Sequence, residues 1–196
     1  IVSALQGIPT GESWSIEAIE KHQALIERCE TDLMPLTWSV VESIPVHEDI
    51  KLARVGHEEY VDNWISSMEN LAHCGIKIIC YNFMPVIDWT RTDLKFKLST
   101  GAYALRFDQQ KFAAFDLFIL KRANAELEYS EQELAEAKQV YEQMTEVERQ
   151  QLTNNIIAGL PGKMTEAYGI DDFRAMLACY KDITPEILRD NLCSFL

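Results

Sequence analysis

The chain has 196 residues, 47% of them apolar and 25% charged, with 31 Asp and Glu against 18 Lys and Arg for a formal net charge of −13. These proportions belong to a core-forming globular chain and exclude disordered, collagen-like and low-complexity classes. The acidic balance would repel a phosphate backbone, which sets nucleic acid aside as a partner. No apolar run approaches the roughly 20 residues of a membrane-spanning helix, so no membrane role is expected.

Ile1 to Leu5 is a strand candidate, followed by a loop containing Gly7, Pro9 and Gly11. Ser15 is placed to cap a helix reaching about Cys29, with Glu17 and Glu20 in its first turn and Ile16, Ile19, Ile26 and Cys29 on its buried side. Leu36 to Glu42, rich in β-branched and aromatic residues, predicts a second strand. Val61, Trp64, Ile65, Met68 and Ala72 then recur at helical spacing, and Gly75 stands where a helix C-terminus is expected. Ile76 to Phe83 is the third strand. Strand, helix, strand, helix, strand implies a parallel sheet with helices packed outside it.

The pattern then changes. Phe96 and Leu98 alternate with lysines, Ser99 to Ala102 supplies a turn with Gly101, and Tyr103, Leu105 and Phe107 alternate on the return, as in a β-hairpin. From Asp108 the chain reads as helical, beginning with Phe112, Phe115 and Ile119 on one face. Ser130 with Glu133 and Thr145 with Glu148 are capping boxes. Eight of the acids but only two bases lie between Ala123 and Leu152, which fits a solvated helical face better than a cation site. Gly159, Pro161 and Gly162 break the run. A helix from about Asp171 to Lys181 and another opened by Thr184-Pro185 follow.

The expected organisation is barrel-type βα units over 1–93, a hairpin insertion over 94–107, a helical insertion over 108–183, and a further helix from 184 to 196. The helical insertion would act as a lid or pack against another subunit, with Phe112, Phe115 and Phe118 supplying apolar surface. The apolar start on Ile1 and the amphipathic pattern at Cys193-Ser194-Phe195-Leu196 read as parts of a longer chain. The cysteines Cys29, Cys74, Cys80, Cys179 and Cys193 form an odd set without CxxC spacing. They read as reduced thiols of a cytoplasmic protein, at least three of them core filler.

In parallel α/β folds, functional groups gather in the loops beyond the C-terminal ends of strands. Glu42 ends an apolar strand, where a carboxylate needs a partner or a function. His47 can act as acid, base, ligand or hydrogen-bond donor, although a lone histidine in a loop is more often structural. Asn82 and Arg91 are suited to the oxygens of a small polar ligand, with Trp89 stacking on a sugar face or on the guanidinium. Arg91 could instead pair with Asp88 or Asp93. His22, His57 and His73 read as surface residues. The chain carries no GxGxxG, Walker loop, GxSxG, HExxH or Cys/His zinc array.

The blocks Trp38-Ser39-Val40-Val41-Glu42-Ser43-Ile44-Pro45-Val46-His47-Glu48-Asp49-Ile50-Lys51 and Cys80-Tyr81-Asn82-Phe83-Met84-Pro85-Val86-Ile87-Asp88-Trp89-Thr90-Arg91-Thr92-Asp93-Leu94 closely resemble the signature of the mannonate dehydratase family. Ile8 to Ser15, Ala104 to Asp108 and Asn155 to Gly162 agree. The resemblance implies an α/β fold, a (β/α)8 barrel of the xylose-isomerase-like type, of which about three strands are visible. A barrel needs eight, so an N-terminal-half segment is expected. It also implies dehydration of D-mannonate to 2-keto-3-deoxy-D-gluconate in hexuronate catabolism, with Mn2+ or Fe2+, in a homo-oligomer. The metal ligands are expected beyond Leu196. Glu42, His47, Asn82, Trp89 and Arg91 would bind the sugar acid, and His47 is the candidate catalytic group. A sugar isomerase or epimerase on the same barrel and a non-catalytic sugar-acid-binding relative are the competing readings.

Overall fold

Val2–Ser3 (β1), Val40–Val41 (β2) and Ile78–Ile79 (β3) pair in the order β1-β2-β3, all parallel. Val2, Val40 and Ile78 stand in one row, Ser3, Val41 and Ile79 in the next. The computed structural model describes residues 1–28, 36–87, 89–157 and 169–196. The sheet lies in the first of two compact units, Ile1–Pro85 with Asp182–Leu196; the second is Val86–Lys181.

The ordered pairing is shorter than the predicted strands because flanking backbone groups are otherwise engaged. Ile76 N–H closes the end of a helix on Leu71 C=O at 3.0 Å, so β3 cannot begin there. Only single bonds, Ser39 N–H to Ile1 C=O, Glu42 N–H to Ser3 C=O and Cys80 N–H to Val41 C=O, extend the ladder. Strand alternation then sorts the side chains. Val41 is fully buried, whereas Val2 and Ile78 on the opposite face are 58% and 57% exposed.

Helix α1 (Ile16–Glu27) is capped by Ser15, whose hydroxyl accepts from Ala18 N–H at 3.2 Å. A short helix α2 (Glu48–Lys51), which the sequence pattern does not reveal, precedes α3 (Glu58–His73). Gly75, with φ of +85°, lets the chain turn out of α3 into β3. The core of this unit gathers Ala4, Trp14, Ile19, Trp38, Val41, Ile44, Leu71 and Ile76. Trp38 is 1% exposed and its indole N–H donates to the carbonyls of Ser3 and Val40.

On α3 the buried positions are Ser67 and Leu71, while Ile65 and Met68 are exposed. Of the stripe that hydropathy suggests, Trp64 does pack against the core, while the neighbouring face with Ser67 is set by hydrogen bonds to a loop. Helix α8 (Pro185–Phe195) starts at Thr184, whose hydroxyl accepts from Ile187 N–H, with Pro185 in the first turn. Its Asn191 donates to Lys51 C=O at 2.8 Å.

In the second unit, β4 (Asp93–Lys97) and β5 (Tyr103–Arg106) form an antiparallel pair with a register shift between Asp93 and Phe96. Gly101, at φ +88°, makes the turn. Asp108 caps α4 (Gln109–Ala114), which runs on as a π-helical stretch, Phe115–Leu120, ending at Lys121 in the left-handed region at φ +56°. A 3-10 turn (Ala125–Glu128) leads to α5 (Glu131–Gln143), α6 (Glu146–Ile157) and α7 (Ile170–Cys179). Both capping boxes form: Glu133 accepts from Ser130 N–H, and Glu148 from Thr145 N–H, each at 2.8 Å.

Phe112, Phe115 and Phe118 do not supply a docking surface. Phe115 is 1% exposed in a core with Val86, Leu120, Leu152, Ile156 and Phe173, against which Phe112 packs, and Phe118 stacks on Tyr141 at 5.1 Å. Asp116, 3% exposed, receives Arg122 Nε at 2.9 Å, Arg122 Nη2 at 2.7 Å and the Tyr129 hydroxyl at 3.0 Å. Hydrogen bonds donated to Asp116 and Glu128 hold the Arg122 guanidinium above its usual range, and burial, then Asp116, pushes the Tyr129 hydroxyl up. The expected break at Gly159, Pro161 and Gly162 lies outside the described residues, as does Cys29. Of the other four cysteines none is fully buried: Cys74 and Cys80 are half-buried, Cys179 and Cys193 exposed. The two exposed thiols, near helix C-termini, are not core filler, whereas Cys74 packs against the core of the first unit.

Candidate functional site

The side chains at the C-terminal ends of β2 and β3 follow from strand alternation. Glu42 comes one residue after buried Val41, and Cys80 one after Ile79, so both fall on the sheet face opposite the helix-packed row. The Cys80 thiol bonds the Glu42 carboxylate, and that bond, then burial, raises the thiol's pKa. In this pairing Cys80 serves as a hydrogen-bond donor to Glu42. Asn82, two residues further along, donates to Ser43 Oγ at 3.4 Å. Glu42 and Asn82 are thereby drawn into one polar cluster that bridges two neighbouring strand ends through Cys80 and Ser43.

His47 sits five residues after Glu42, at the N-cap of α2. Its Nδ1 accepts from Asp49 N–H at 3.2 Å, and its ring stacks on Tyr60 at 3.7 Å between centroids. With Nδ1 placed as the acceptor, the hydrogen-bond pattern matches a proton on Nε2. Burial lowers its pKa, against the opposing pull of Asp49 and Glu48. The neutral ring therefore predominates at neutral pH. Lys51, 3% exposed, donates to Glu48 and to Met84 C=O, tying the segment after β2 to the segment after β3.

A second set of contacts holds the loop after β1. Asn63 donates to Gly11 C=O at 3.0 Å, Ser67 Oγ accepts from Trp14 N–H at 2.9 Å, and Asn70 donates to Trp14 C=O at 2.8 Å. Tyr60, Asn63, Ser67 and Asn70 lie at spacings of three, four and three, one face of α3.

Trp89 and Arg91 belong to the second unit. The guanidinium lies 5.3 Å from the Trp89 ring centre and donates to Thr90 C=O at 3.0 Å, with Trp89 itself 60% exposed. Asp88, one proposed partner of Arg91, is outside the described residues. His22, expected on the surface, is instead partly buried: its Nε2 lies 2.8 Å from Ser3 Oγ and its ring meets Trp38 edge-on at 4.8 Å. Among the described residues no three His, Cys, Asp or Glu side chains converge where a metal ion could sit. They do not make a metal site by themselves. No described helix is long and apolar enough to cross a membrane.

The family model for D-mannonate dehydratase (UxuA) matches residues 1–196. The chain belongs to the D-mannonate dehydratase family. It is 50% identical over 196 residues to a mannonate dehydratase from Marinomonas sp. (strain MWYL1) and 51% identical to one from Brucella melitensis biotype 2, covering all of this chain and 49% of each relative. It spans about half the length of the curated relatives it matches. Among solved structures it is similar to the crystal structure of mannonate dehydratase from Streptococcus suis serotype 2, with a TM-score of 0.62 and 28% identity over 100% of this chain and 40% of the other. With three parallel strands joined through helices, the fold class is α/β of the barrel type, as the sequence implied.

Within this family member, sequence reasoning missed Gly11, Ser43, Lys51, Tyr60 and the pairing of Cys80. Gly11, Ser43, Lys51 and Cys80 lie inside the signature blocks, which was the signal available for them. Tyr60 was detectable only as part of the polar stripe with Asn63, Ser67 and Asn70.

Proposed function

We propose that this chain forms part of a hydro-lyase that removes water from D-mannonate to give 2-keto-3-deoxy-D-gluconate in hexuronate catabolism. The match of the dehydratase family model to residues 1–196 carries the reading. It favours dehydration over isomerisation on a similar barrel, and over a non-catalytic binding role.

The reaction takes a proton from the carbon beside the carboxylate and expels hydroxide from the next carbon. Both changes place charge on substrate oxygens, which need aligned donors. In this reading the Nε2–H of His47 and the amide of Asn82 donate to substrate oxygens and Glu42 orients its neighbours; Arg91 and Trp89, in the second unit, are the candidates for a carboxylate and a sugar face. A neutral donor such as His47 adds no charge and keeps its direction because Nδ1 is already engaged. A divalent ion, Mn2+ or Fe2+, is the Lewis acid that the family implies, and the described residues gather no set to hold it. The reading also implies a cytoplasmic homo-oligomer.

The test is product analysis. The full-length protein, incubated with D-mannonate and Mn2+, is expected to release a 2-keto-3-deoxy acid one water lighter than the substrate, with turnover lost on chelation. A product of unchanged formula would overturn dehydration in favour of isomerisation, and no turnover would favour a binding role.

A further inference from the structure

Gly11 meets the His47–Tyr60 stack at a distance only glycine permits. A Cβ there would lie 2.7 Å from Tyr60 Cδ1 and 3.0 Å from His47 Cδ2, and the backbone has φ of +95°. The loop is held at that approach by Asn63, which donates to Gly11 C=O. His47 is thus enclosed from three sides: Tyr60 on one ring face, the Gly11 backbone near Cδ2, and the Asp49 N–H at Nδ1. Nε2 is the one ring nitrogen that no described protein group engages.

We propose that Gly11 and Tyr60 are positioning residues that lock His47 in its neutral Nε2–H form and aim that N–H as a fixed donor at a substrate oxygen. His47 then serves as a hydrogen-bond donor and not as the base that takes the substrate proton, since Nδ1 is turned into its own helix and Nε2 already carries a proton. The groups facing the ring are consistent with a neutral state. Asp49 and Glu48 favour protonation, Lys51 and Arg54 oppose it, and burial under Tyr60 and the Gly11 loop outweighs the carboxylates. Protonation at Nδ1 would also cost α2 its N-cap acceptor. The part of this inference that concerns turnover rests on the dehydratase reading; the part that concerns the tautomer does not.

The experiment joins a spectrum to kinetics, both on the full-length protein. Long-range 1H–15N correlation with 15N-labelled histidine is expected to show a pyridine-type Nδ1 and a pyrrole-type Nε2 for His47 at neutral pH. Tyr60→Phe keeps the ring and is expected to keep that signature, whereas Tyr60→Leu and Gly11→Ala, which remove or displace the stack, are expected to give an averaged tautomer. With D-mannonate, Tyr60→Leu should lower kcat/KM roughly ten- to hundredfold, as misaligned donors do. His47→Gln, whose amide can place an N–H near the Nε2 position, should retain more activity than His47→Asn. A proton on Nδ1 in the unaltered protein, or an unchanged spectrum in Tyr60→Leu, would overturn the proposal. If the unaltered protein forms no 2-keto-3-deoxy acid, the functional reading fails, and the spectrum still decides the tautomer.

Discussion

The two units use polar side chains for different ends. In the first, they reach far along the sequence to hold backbone in loops: Asn63 to Gly11, Ser67 and Asn70 to Trp14, Lys51 to Met84, Asn191 to Lys51. In the second, many close within a few residues, as in the Ser130–Glu133 and Thr145–Glu148 boxes and the Asp116–Arg122 pair. Asn155, which donates to Thr92 C=O at 3.0 Å, and Arg174, which donates to Leu120 C=O, are exceptions. Local closure stabilises helices. Distant closure positions loops, and it is the first unit that carries Glu42, His47 and Asn82.

This contrast can be broken by substitution. The largest expected effect is from Trp38→Ala, which empties a buried site and removes the indole N–H shared by the carbonyls of Ser3 and Val40, at a cost of about 4 kcal/mol in denaturant unfolding. Asp116→Ala leaves the Arg122 guanidinium without its main partner in a part-buried site and should cost about 3 kcal/mol, with no change in KM for D-mannonate. Ser67→Ala is the sharpest comparison. Removing the acceptor for the buried Trp14 N–H should cost about 1–2 kcal/mol and also lower kcat/KM, because the loop carrying Gly11 loosens. Ser130→Ala should cost about 1 kcal/mol through its lost cap and leave kcat/KM unchanged. If Ser67→Ala and Ser130→Ala alter activity equally, the distinction between the two kinds of hydrogen bond is wrong.

The smallest effect is from pH. The folded pKa of His47 lies below its ordinary value of 6.5, so the folded state binds this proton more weakly than the unfolded chain does. Its contribution to stability is then complete above about 6.5 and lost as pH falls through the lowered value. Comparing unfolding midpoints of the unaltered protein and His47→Gln between pH 7 and 5 should show the loss only in the former.

Much of the helical structure was legible in the sequence because its signals are local. Ser15, Asp108, Thr184-Pro185 and the two capping boxes act on N–H groups two or three residues away, so their spacing reads directly as geometry. Strand order was legible too, through the alternation of strand and helix patterns. Strand length was not, since it depends on whether neighbouring backbone is already bonded, as at Ile76. The π-helical stretch after Ala114 leaves no mark in composition. For the site, Glu42, His47 and Asn82 stood out because polar groups follow apolar strands. Tyr60, Gly11 and Cys80 did not, because what they touch is set by folding: Gly11 is 49 positions from Tyr60 in sequence yet within van der Waals distance of it.

The stripe on α3 has a mechanical consequence. Tyr60 supports His47, while Asn63, Ser67 and Asn70 grip the loop through Gly11 and Trp14, and all four ride on one sixteen-residue rod. When that rod shifts, it carries both attachments by the same vector. The support of the imidazole and the anchors of the loop therefore share one rigid element, which favours a constant spacing between them.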